Sequence, residues 1–495
     1  MKVLIRAGKR IAEVLRGSSL ASDCPRCEPL RQEIEALRQE IDRLRQENRV
    51  QKEENARLRE SVAEAHRAGK RQAAPFSKGP PKTNPKRPGR KRGEQYGVKA
   101  RRPVPDHFDE SYETPIGPEC PHCGSNELEE VRVVEQYEED IPPVTPRVRR
   151  FRIHVGRCMR CRRRVQGRHP LQTSDAIGAA GVHLGPRALA LAADLNKQIG
   201  TSFGKVRTIF QTAFSLPITR GGISQALDRV ANKLTPTYDA LVGQIQSAPV
   251  VAADETGWKV SARLHWLWAF VTPTVTVYRI MDGRGYAEAC SVLGADFDGT
   301  LLRDGWSPYR RFEQATHQTC VGGHLIRRCK EILETAKQGS ARLPHAVLRI
   351  FQRALRLRDH WLDHPPTPPG RAIHVGIVVA EMDRFLAWSP ADNENRKLVK
   401  HLKNERDALF TFLRDPTVPA SNWWGEQAIR PAVVTRKIWG GNRTPDPDGA
   451  VTQQTIASFF RTSHQQDTDP YPILAEVLRS PVRCVAALPS LLSGP

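Results

Sequence analysis

Residues 249–260, PVVAADETGWKV, combine a short apolar run with an acidic residue at its end. The first five residues are typical of a buried β-strand, and Asp254 follows them directly. A second stretch at residues 299–312, GTLLRDGWSPYRRF, repeats the arrangement with Thr300 to Leu302 leading into Asp304. Because a charge at the end of a buried strand is costly, both aspartates are candidates for a functional site.

A third acid, Glu426, lies in SNWWGEQAIRPAVVTRKIW at residues 421–439, and its surroundings are typical of a short helix. Asn422, Glu426 and Arg430 recur at steps of four, so one helix face would present an amide, a carboxylate and a guanidinium. Hard divalent cations such as Mg²⁺ prefer oxygen ligands. If the three carboxylates converge, they would therefore form a site for two such ions.

The end of this stretch supplies candidate DNA contacts. Pro431 predicts that the helix ends or kinks, which would place Arg436, Lys437 and Trp439 on a following segment. These side chains can hold phosphate by charge or a base by stacking. Together with Arg430, the two basic residues are predicted to bind DNA.

Several strings occur in an order that is specific as a set: DETGW, RLHWLW, LLRDGWSPY, CVGGHLIRRC, GEQAIRP and TRKIW. With APFSK before them and DPYPIL after them, the chain resembles the transposase of the bacterial insertion sequence sixty-six family, a DDE transposase. The resemblance extends over nearly the whole chain. One stretch departs from it, because the family has an Asp-Asn pair before Ala-Glu-Arg. Different residues stand here: Ser421, Trp423, Trp424, Gly425 and Gln427.

The resemblance implies an α/β fold with a ribonuclease-H-like core at residues 246–320 and 416–462, separated by an α-helical insertion at 321–415. It implies that Asp254, Asp304 and Glu426 bind two Mg²⁺ ions, cut the element's ends and direct the freed 3′-OH at target DNA. Double-stranded DNA is the expected partner, and companion proteins of the same element are further candidates. His324 recurs in the family pattern, but a lone histidine is more often structural, so it is not assigned as a ligand.

Charge and composition agree with a nucleic-acid partner. The 495 residues include 76 basic and 54 acidic side chains, a net charge of +22. Such a charge favours a polyanion. The N-terminal MKVLIRAGKRIAEVL interrupts its apolar run with charges, which predicts neither a signal peptide nor a membrane anchor and favours the cytoplasm.

Residues 30–66 are predicted to form a coiled coil. The seam positions follow one another at alternating steps of three and four residues, and most of them are apolar. They are Leu30, Ile34, Leu37, Ile41, Leu44, Asn48, Gln51, Asn55, Leu58 and Val62. A homodimer, or a higher homo-oligomer, is the favoured interpretation, and a single solvated helix is the alternative. In the preceding segment, 1–29, Cys24 and Cys27 are half a metal site that a partner chain would have to complete.

Residues 67–110 are predicted to be a disordered basic linker, since the stretch is rich in proline and basic residues and has too few apolar residues to build a core. Within it RPGRKRG resembles an arm that inserts into the DNA minor groove. The predicted DNA contacts are Arg87, Arg90, Lys91 and Arg92. A linker that only keeps the chain soluble is the alternative.

Residues 111–170 contain two CxxC pairs, and their spacing is typical of a structural Zn²⁺ site. The four proposed ligands are Cys120, Cys123, Cys158 and Cys161. Strands predicted at Val131–Val134 and Val148–Val155 indicate a zinc ribbon. The arginines that follow suit phosphate contacts, although a zinc staple with a solvated basic face is the alternative.

Periodic apolar residues predict helices at Arg187–Leu195, Phe203–Phe214 and Ile223–Leu234 within residues 180–245. The last two would form a helix-turn-helix that reads DNA, or would simply pack. The segment after them predicts the order strand, strand, strand, helix, strand, with Asp254 and Asp304 on neighbouring strands. Residues 463–495 are assigned as a C-terminal tail.

Two other functions fit parts of this pattern. A DNA-binding regulator without catalysis would need the coiled coil, ribbon and linker but none of the acids. A ribonuclease-H-like nuclease would need the acids but neither a dimerising seam nor a region that reads ends. Only a transposase uses all of these features.

Overall fold

The computed structural model describes residues 28–68, 102–336, 339–442 and 447–492. Those residues belong to two compact units, one ending at Phe108 and the other beginning at Asp109. Several predictions therefore lie outside the described residues, and they concern Cys24, Cys27, Arg87, Arg90, Lys91 and Arg92.

In the first unit, helix α1 spans Glu28–Ala68 and confirms the predicted helix. Apolar seam residues in its middle part are exposed to solvent, with Leu37 56%, Leu44 48% and Leu58 57% accessible. Along-helix ion pairs such as Arg43 with Glu40, at 2.7 Å, are exposed and contribute little stability. Pairing of two such helices stays a prediction.

The second unit begins with an extended segment and a small hairpin, β1 (Val155–Arg157) paired antiparallel with β2 (Arg164–Gln166). The strands predicted at 131–134 and 148–155 are wrong, apart from the single residue Val155. Val131, for example, is 85% exposed. The β-branched residues there have no buried face to pack against, so their propensity alone does not make a strand.

The helices predicted after the hairpin are confirmed. They are α2 (Pro186–Ala193), continued by a π turn at Asp194–Gln198, α3 (Phe203–Phe214) and α4 (Arg220–Gln246). Ser202 and Thr219 accept backbone N–H groups at the starts of α3 and α4, as N-cap residues do. α4 is much longer than predicted, and its apolar face is buried against the sheet. Whether α3 and α4 read DNA stays a prediction.

A five-stranded mixed sheet lies at the centre of the second unit. Its elements are β3 (Val250–Val260), β4 (Arg263–Val271), β5 (Thr276–Met281), helix α5 (Tyr286–Leu293), β6 (Thr300–Arg303) and β7 (Thr316–Thr319). The order across the sheet is β5-β4-β3-β6-β7, with β6 parallel to β3 and to β7. The predicted succession of three strands, a helix and a strand is confirmed.

Successive residues of β3 enter two separate cores, because side chains alternate across a sheet. Val250 and Ala252 pack with the helices that follow β7, whereas Val251 and Ala253 pack with α2 to α5. The helices on the first face are α6 (Ile326–Thr335), α7 (Arg342–Asp363), α8 (Pro368–Leu386), α9 (Asn393–Asn404) and α10 (Thr411–Arg414). The helical character predicted between β7 and the last acid is confirmed.

Helix α11 spans Trp423–Trp439, so the predicted end at Pro431 is wrong, and Arg436, Lys437 and Trp439 lie on the same helix as Glu426 rather than on a following segment. Pro431 lies on the exposed side of the helix, while Ala428 and Ala432 are buried against the first core. Packing of that inner face offsets the missing proline N–H, which costs less at the solvent side. Residues on both sides of Pro431 therefore share one rigid element.

Three helices complete the chain: α12 (Pro447–Gln465), α13 (Pro470–Arg479) and α14 (Pro489–Leu492). Gln454, Ser458 and Thr462 of α12 accept backbone N–H groups of edge strand β5 at 2.9, 2.8 and 3.1 Å. The helix thereby covers an edge that would otherwise be open to further pairing. Among the described residues, none of the helices has the length and apolar character needed to cross a bilayer.

Candidate metal and nucleic-acid site

The parallel pairing of β3 with β6 positions the first two acids. Ala252 lies opposite Leu302 in the register, and Asp254 and Asp304 each follow two residues later. Paired residues of parallel strands point to the same face, so both carboxylates face the helical insertion. The Asp304 carboxylate also accepts the backbone N–H of Trp306 at 2.9 Å, which fixes the turn after β6. The prediction that these two acids lie on neighbouring strands is confirmed.

Glu426 arrives from α11, and Gly425 lets that helix approach the strand. A β-carbon at Gly425 would lie 2.9 Å from Cβ of Asp254 and 2.8 Å from Oδ1 of Asn422. The Asn422 amide donates to the Ala253 carbonyl at 2.9 Å and ties the start of α11 to β3. Glycine at 425, which departs from the family pattern, is what the close approach of helix and strand requires.

The electrostatics of Asp254 reflect a cluster of like charges. Burial, first of all, and the charges of Glu255, Asp304 and Glu426 together raise the pKa of Asp254 to about 7, while the N–H of Glu255 opposes them. Carboxylates this close cannot all ionise without a compensating charge. Oxygen-only ligands from the middle of β3, from the residue after β6 and from a helix suit Mg²⁺, so the donor set fits the ion that the family resemblance implies.

Glu255, which the sequence analysis did not single out, is held on the opposite face of β3. Its carboxylate accepts Nε of Arg284 at 2.7 Å and the hydroxyl of Tyr309 at 2.5 Å. The Arg284 guanidinium lies over the rings of Trp266 and Trp306, 4.6 and 4.3 Å from their centroids. Because successive side chains of a strand point to opposite faces, the position of Glu255 directly after Asp254 could have predicted that it lies on this face.

A second buried ion pair involves Arg303, the residue directly before Asp304. Arg303 and Glu405, with side chains 2% and 1% exposed, are paired at 2.5 Å, and Arg310 approaches Glu405 at 3.7 Å. Burial and the charges of nearby arginines lower the pKa of His401, whereas Asp304 raises it. The pair joins the end of β6 to the helical insertion and so supports the loop that carries Asp304.

An open cleft of about 460 Å³ adjoins the acids. Its polar lining includes Asp304, His324, Arg327, Arg328, Glu394 and His401. Glu331 and Thr335 complete the polar lining, so the cleft presents two arginines together with three carboxylates, of which Asp304 is the one that belongs to the triad. That combination suits a phosphate backbone placed near a metal site.

His324, treated above as structural, lies close to Glu426. Its Nε2 is 3.5 Å from Oε1 of Glu426, and the ligand atoms of Cys320, His324 and Glu426 all lie within 4.8 Å of one another. No local sequence signal joins Cys320 to Glu426, because more than one hundred residues separate them.

The basic residues of α11 fall into two groups. Arg430 and Lys437 are exposed. Arg436 is partly buried and donates to the Gly257 carbonyl of β3. Arg430 and Lys437 are accessible to DNA, whereas Arg436 joins helix to strand. The guanidinium of Arg436 is thus already used within the protein, and its predicted contact with DNA stays a prediction.

Each cysteine pair forms a tight turn suited to a metal. Gly124 N donates to Cys120 O and Arg162 N to Cys158 O, at 2.9 and 2.8 Å, and both turn residues have positive φ. Backbone N–H groups directed at the sulfurs lower the pKa values of Cys120 and Cys158. Within the described residues, however, the four sulfurs do not form one group of mutually close ligand atoms. The turns fit Zn²⁺, and the four-ligand site stays a prediction.

Comparison with known proteins identifies the family. The family described as "Transposase IS66 family" matches residues 181–450, more than half of the 495 residues. The chain therefore belongs to the transposase IS66 family. The match includes all three acids, the sheet and the helical insertion.

Two relatives come from Sinorhizobium fredii. The uncharacterized protein y4qI is 24% identical over 292 residues, which cover 53% of this chain and 53% of the relative. The uncharacterized protein y4jD is 23% identical over 412 residues, 76% of this chain and 77% of the relative. The chain thus aligns with about half the length of the first relative and about three quarters of the second.

Proposed function

We propose that this protein is a DNA transposase that cuts the ends of an insertion sequence and joins them to target DNA. The observation that carries the proposal is that Asp304 and Glu426 lie near enough to Asp254 to raise its pKa, with Asp254 and Asp304 carried by neighbouring parallel strands and Glu426 by a helix that packs against Asp254. Membership of the transposase family supports the same conclusion. The strand order and helical insertion support assignment of the core as ribonuclease-H-like.

Each acid has a distinct part in holding the reacting groups. Asp254, within β3, and Asp304, directly after β6, would share one face of the sheet as ligands, and Glu426 would complete the set from α11. When bound at these carboxylates, two Mg²⁺ ions supply activation of the attacking oxygen and stabilisation of the leaving oxygen. The N–H of Glu255 fixes the Asp254 carboxylate at 2.9 Å and keeps its orientation. That orientation is the contribution of the chain itself to catalysis.

DNA would reach the acids over a basic surface. Arg430 and Lys437 are exposed on the helix that carries Glu426, and Arg327 and Arg328 line the adjoining cleft. The basic linker, the cysteine-rich module with its structural Zn²⁺, and the α3–α4 pair would add contacts elsewhere on the element ends. Phosphate contacts of this kind position DNA without reading its sequence.

Pairing of two element ends would use α1. The exposed seam leucines and Ile41 need a partner surface to become buried, and a second copy offers the matching heptads. A dimer would hold two catalytic units, one for each end. Companion proteins of the same element remain candidate partners.

The direct test supplies supercoiled DNA carrying candidate ends together with Mg²⁺ and compares wild type with Asp254→Asn. We expect end cleavage and joining with wild type and neither with the variant. Asp296→Asn, which changes an acid beyond α5, is the matched control and should keep activity. Wild type that neither cuts nor joins would overturn the proposal, and cutting without joining would indicate a nuclease.

A further inference from the structure

Glu426 has neighbours that the acidic triad does not use. Cys320 follows β7, and His324 lies on the π turn Val321–Leu325 that leads into α6. A sulfur, an imidazole nitrogen and a carboxylate oxygen thus meet, each within 4.8 Å of the others. Among the described residues this is the one group of three such ligands.

The Cys320 sulfur is presented in the manner of a metal ligand. The backbone N–H of Asn422 donates to it at 3.3 Å, and the N–H groups of Gly323 and His324 also point at it, although burial keeps the pKa of the metal-free thiol raised. In the two CxxC turns, backbone N–H groups are likewise directed at the sulfurs of Cys120 and Cys158. Cys320 is 2% exposed, so a sulfur in this position has no role at the surface.

The turn between Cys320 and His324 keeps the space among the ligands clear. A β-carbon at Gly323 would lie 2.9 Å from the Cys320 sulfur and 3.6 Å from Oε1 of Glu426. The N–H groups of Val321 and Gly322 both donate to the Ala420 carbonyl at 3.0 Å, which ties the turn to the segment before α11. Glycine at 323 therefore leaves room where a cation would sit.

We propose that Cys320, His324 and Glu426 bind a transition-metal cation of the Zn²⁺ type. Sulfur and imidazole ligands favour such ions over Mg²⁺. Three protein ligands would leave a fourth position open. His324 and Glu426 are 41% and 46% exposed, so both side chains are able to close on the ion. Arg327, which contacts Nδ1 of His324 at 3.0 Å, is exposed and able to move away.

The site shares Glu426 with the acidic triad. Zinc held there would take a carboxylate oxygen from Mg²⁺ and would therefore oppose Mg²⁺-dependent cleavage. This consequence rests on the proposed function, whereas zinc binding itself does not. Micromolar zinc should inhibit wild type more strongly than His324→Ala.

The test counts zinc on the full chain. Wild type, Cys320→Ser, His324→Ala and the control Cys290→Ser are loaded with Zn²⁺, freed of loosely bound metal by gel filtration and analysed for zinc per chain. We expect the first two variants to hold about one zinc fewer than wild type, since each removes one ligand of a three-ligand site, and Cys290→Ser to match wild type. The CxxC zinc is common to all four and cancels in the comparison.

Equal zinc in wild type, Cys320→Ser and His324→Ala would overturn the proposal. Because Cys320 is buried, circular dichroism must show that its variant is folded, and if it is not, His324→Ala decides the outcome. Co²⁺ provides a second readout, since a thiolate ligand gives a charge-transfer absorption that Cys320→Ser should diminish and Cys290→Ser should not. A chain that binds zinc here but cuts no DNA would contradict only the proposed function.

Discussion

Asp254 and Glu255 are adjacent on β3 but occupy opposite environments. Asp254 faces two further acids, and burial and those charges raise its pKa to about 7. On the other face, Glu255 is paired with Arg284 at 2.6 Å and accepts the Tyr309 hydroxyl. One carboxylate has only like charges around it, and the other has its charge compensated within the protein.

The difference separates two uses of a buried acid. A compensated carboxylate such as Glu255 stabilises a fold and needs no ligand. A carboxylate such as Asp254, whose ionisation is opposed by burial and by neighbouring acids, is unfavourable in its charged form until a cation binds, and such perturbed groups gather at functional sites. The sheet therefore places a metal site on one face and its structural support on the other.

The largest effect should come from Asp254→Asn. The amide keeps the shape of the side chain but removes the charge that a cation needs. Cleavage and joining should fall on the order of 10³-fold or more, the scale of losing a central electrostatic group. Gel assays of end cleavage measure this, with protein thermal stability followed in parallel. Activity within tenfold of wild type would contradict the claim that the face of β3 with Asp254 is the metal site.

The pH dependence of stability should show the same group. The folded chain holds a proton on Asp254 up to about pH 7, whereas the unfolded chain loses it near pH 4. Folding therefore binds the proton, and the free energy of unfolding should fall as pH rises between these values, by on the order of a few kcal/mol. Urea titrations without metal measure it. The difference between wild type and Asp254→Asn isolates this group, and a difference independent of pH would contradict the prediction.

Glu255→Gln should destabilise the protein by about 2 kcal/mol. The change leaves Arg284 without its carboxylate, and the cost is reduced because the arginine is 29% exposed. Urea denaturation measures the loss. Glu313→Gln, at an exposed position, is the control and should change stability by less than about 0.5 kcal/mol. If both variants unfold alike, Glu255 does not stabilise the sheet.

Gly425→Ala should cost about 1 kcal/mol although alanine favours helices. The added methyl would meet Asp254 and Asn422 and push α11 from β3, so activity should fall with stability. Gly376→Ala in α8, where no atom lies within 4 Å of the new methyl, is the matched control. It should stabilise by up to about 1 kcal/mol. Stabilisation by both changes would mean that helix and strand are not in close contact.

The smallest effects should separate the basic residues of α11. Arg430→Ala should weaken DNA binding and reduce the slope of log affinity against log salt by about one, with no change in stability. Arg436→Ala should instead lower the melting temperature, because it loses its contact with the Gly257 carbonyl. Fluorescence anisotropy across salt concentrations and thermal melts distinguish them. An unchanged salt slope in Arg430→Ala would remove it from the DNA surface.

The sequence predicted what depends on local pattern. Apolar runs ending in Asp254 and Asp304 predicted neighbouring strands, and periodic apolar residues predicted α2 to α4 and the helical insertion. The strand predicted from the valines near residue 131 was wrong because a strand needs a partner strand and a buried face. The predicted end of the helix at Pro431 was wrong because buried contacts on the inner side of α11 offset the missing N–H of the proline. The meeting of Cys320 and His324 with Glu426 depends on long-range packing that spacing cannot indicate.

The central claim is that Asp254, Asp304 and Glu426 form one divalent-metal site. Iron-directed backbone cleavage tests it most directly, since Fe²⁺ bound in place of Mg²⁺ reduces added hydrogen peroxide to hydroxyl radicals, with ascorbate restoring the Fe²⁺, and these radicals cut the nearest chain segments. In Cys320→Ser, which removes the proposed zinc site, we predict cuts close to all three acids, suppressed by excess Mg²⁺ and lost in Asp254→Asn. Cuts that omit Asp254 or Asp304, or that persist unchanged in Asp254→Asn, would contradict the account.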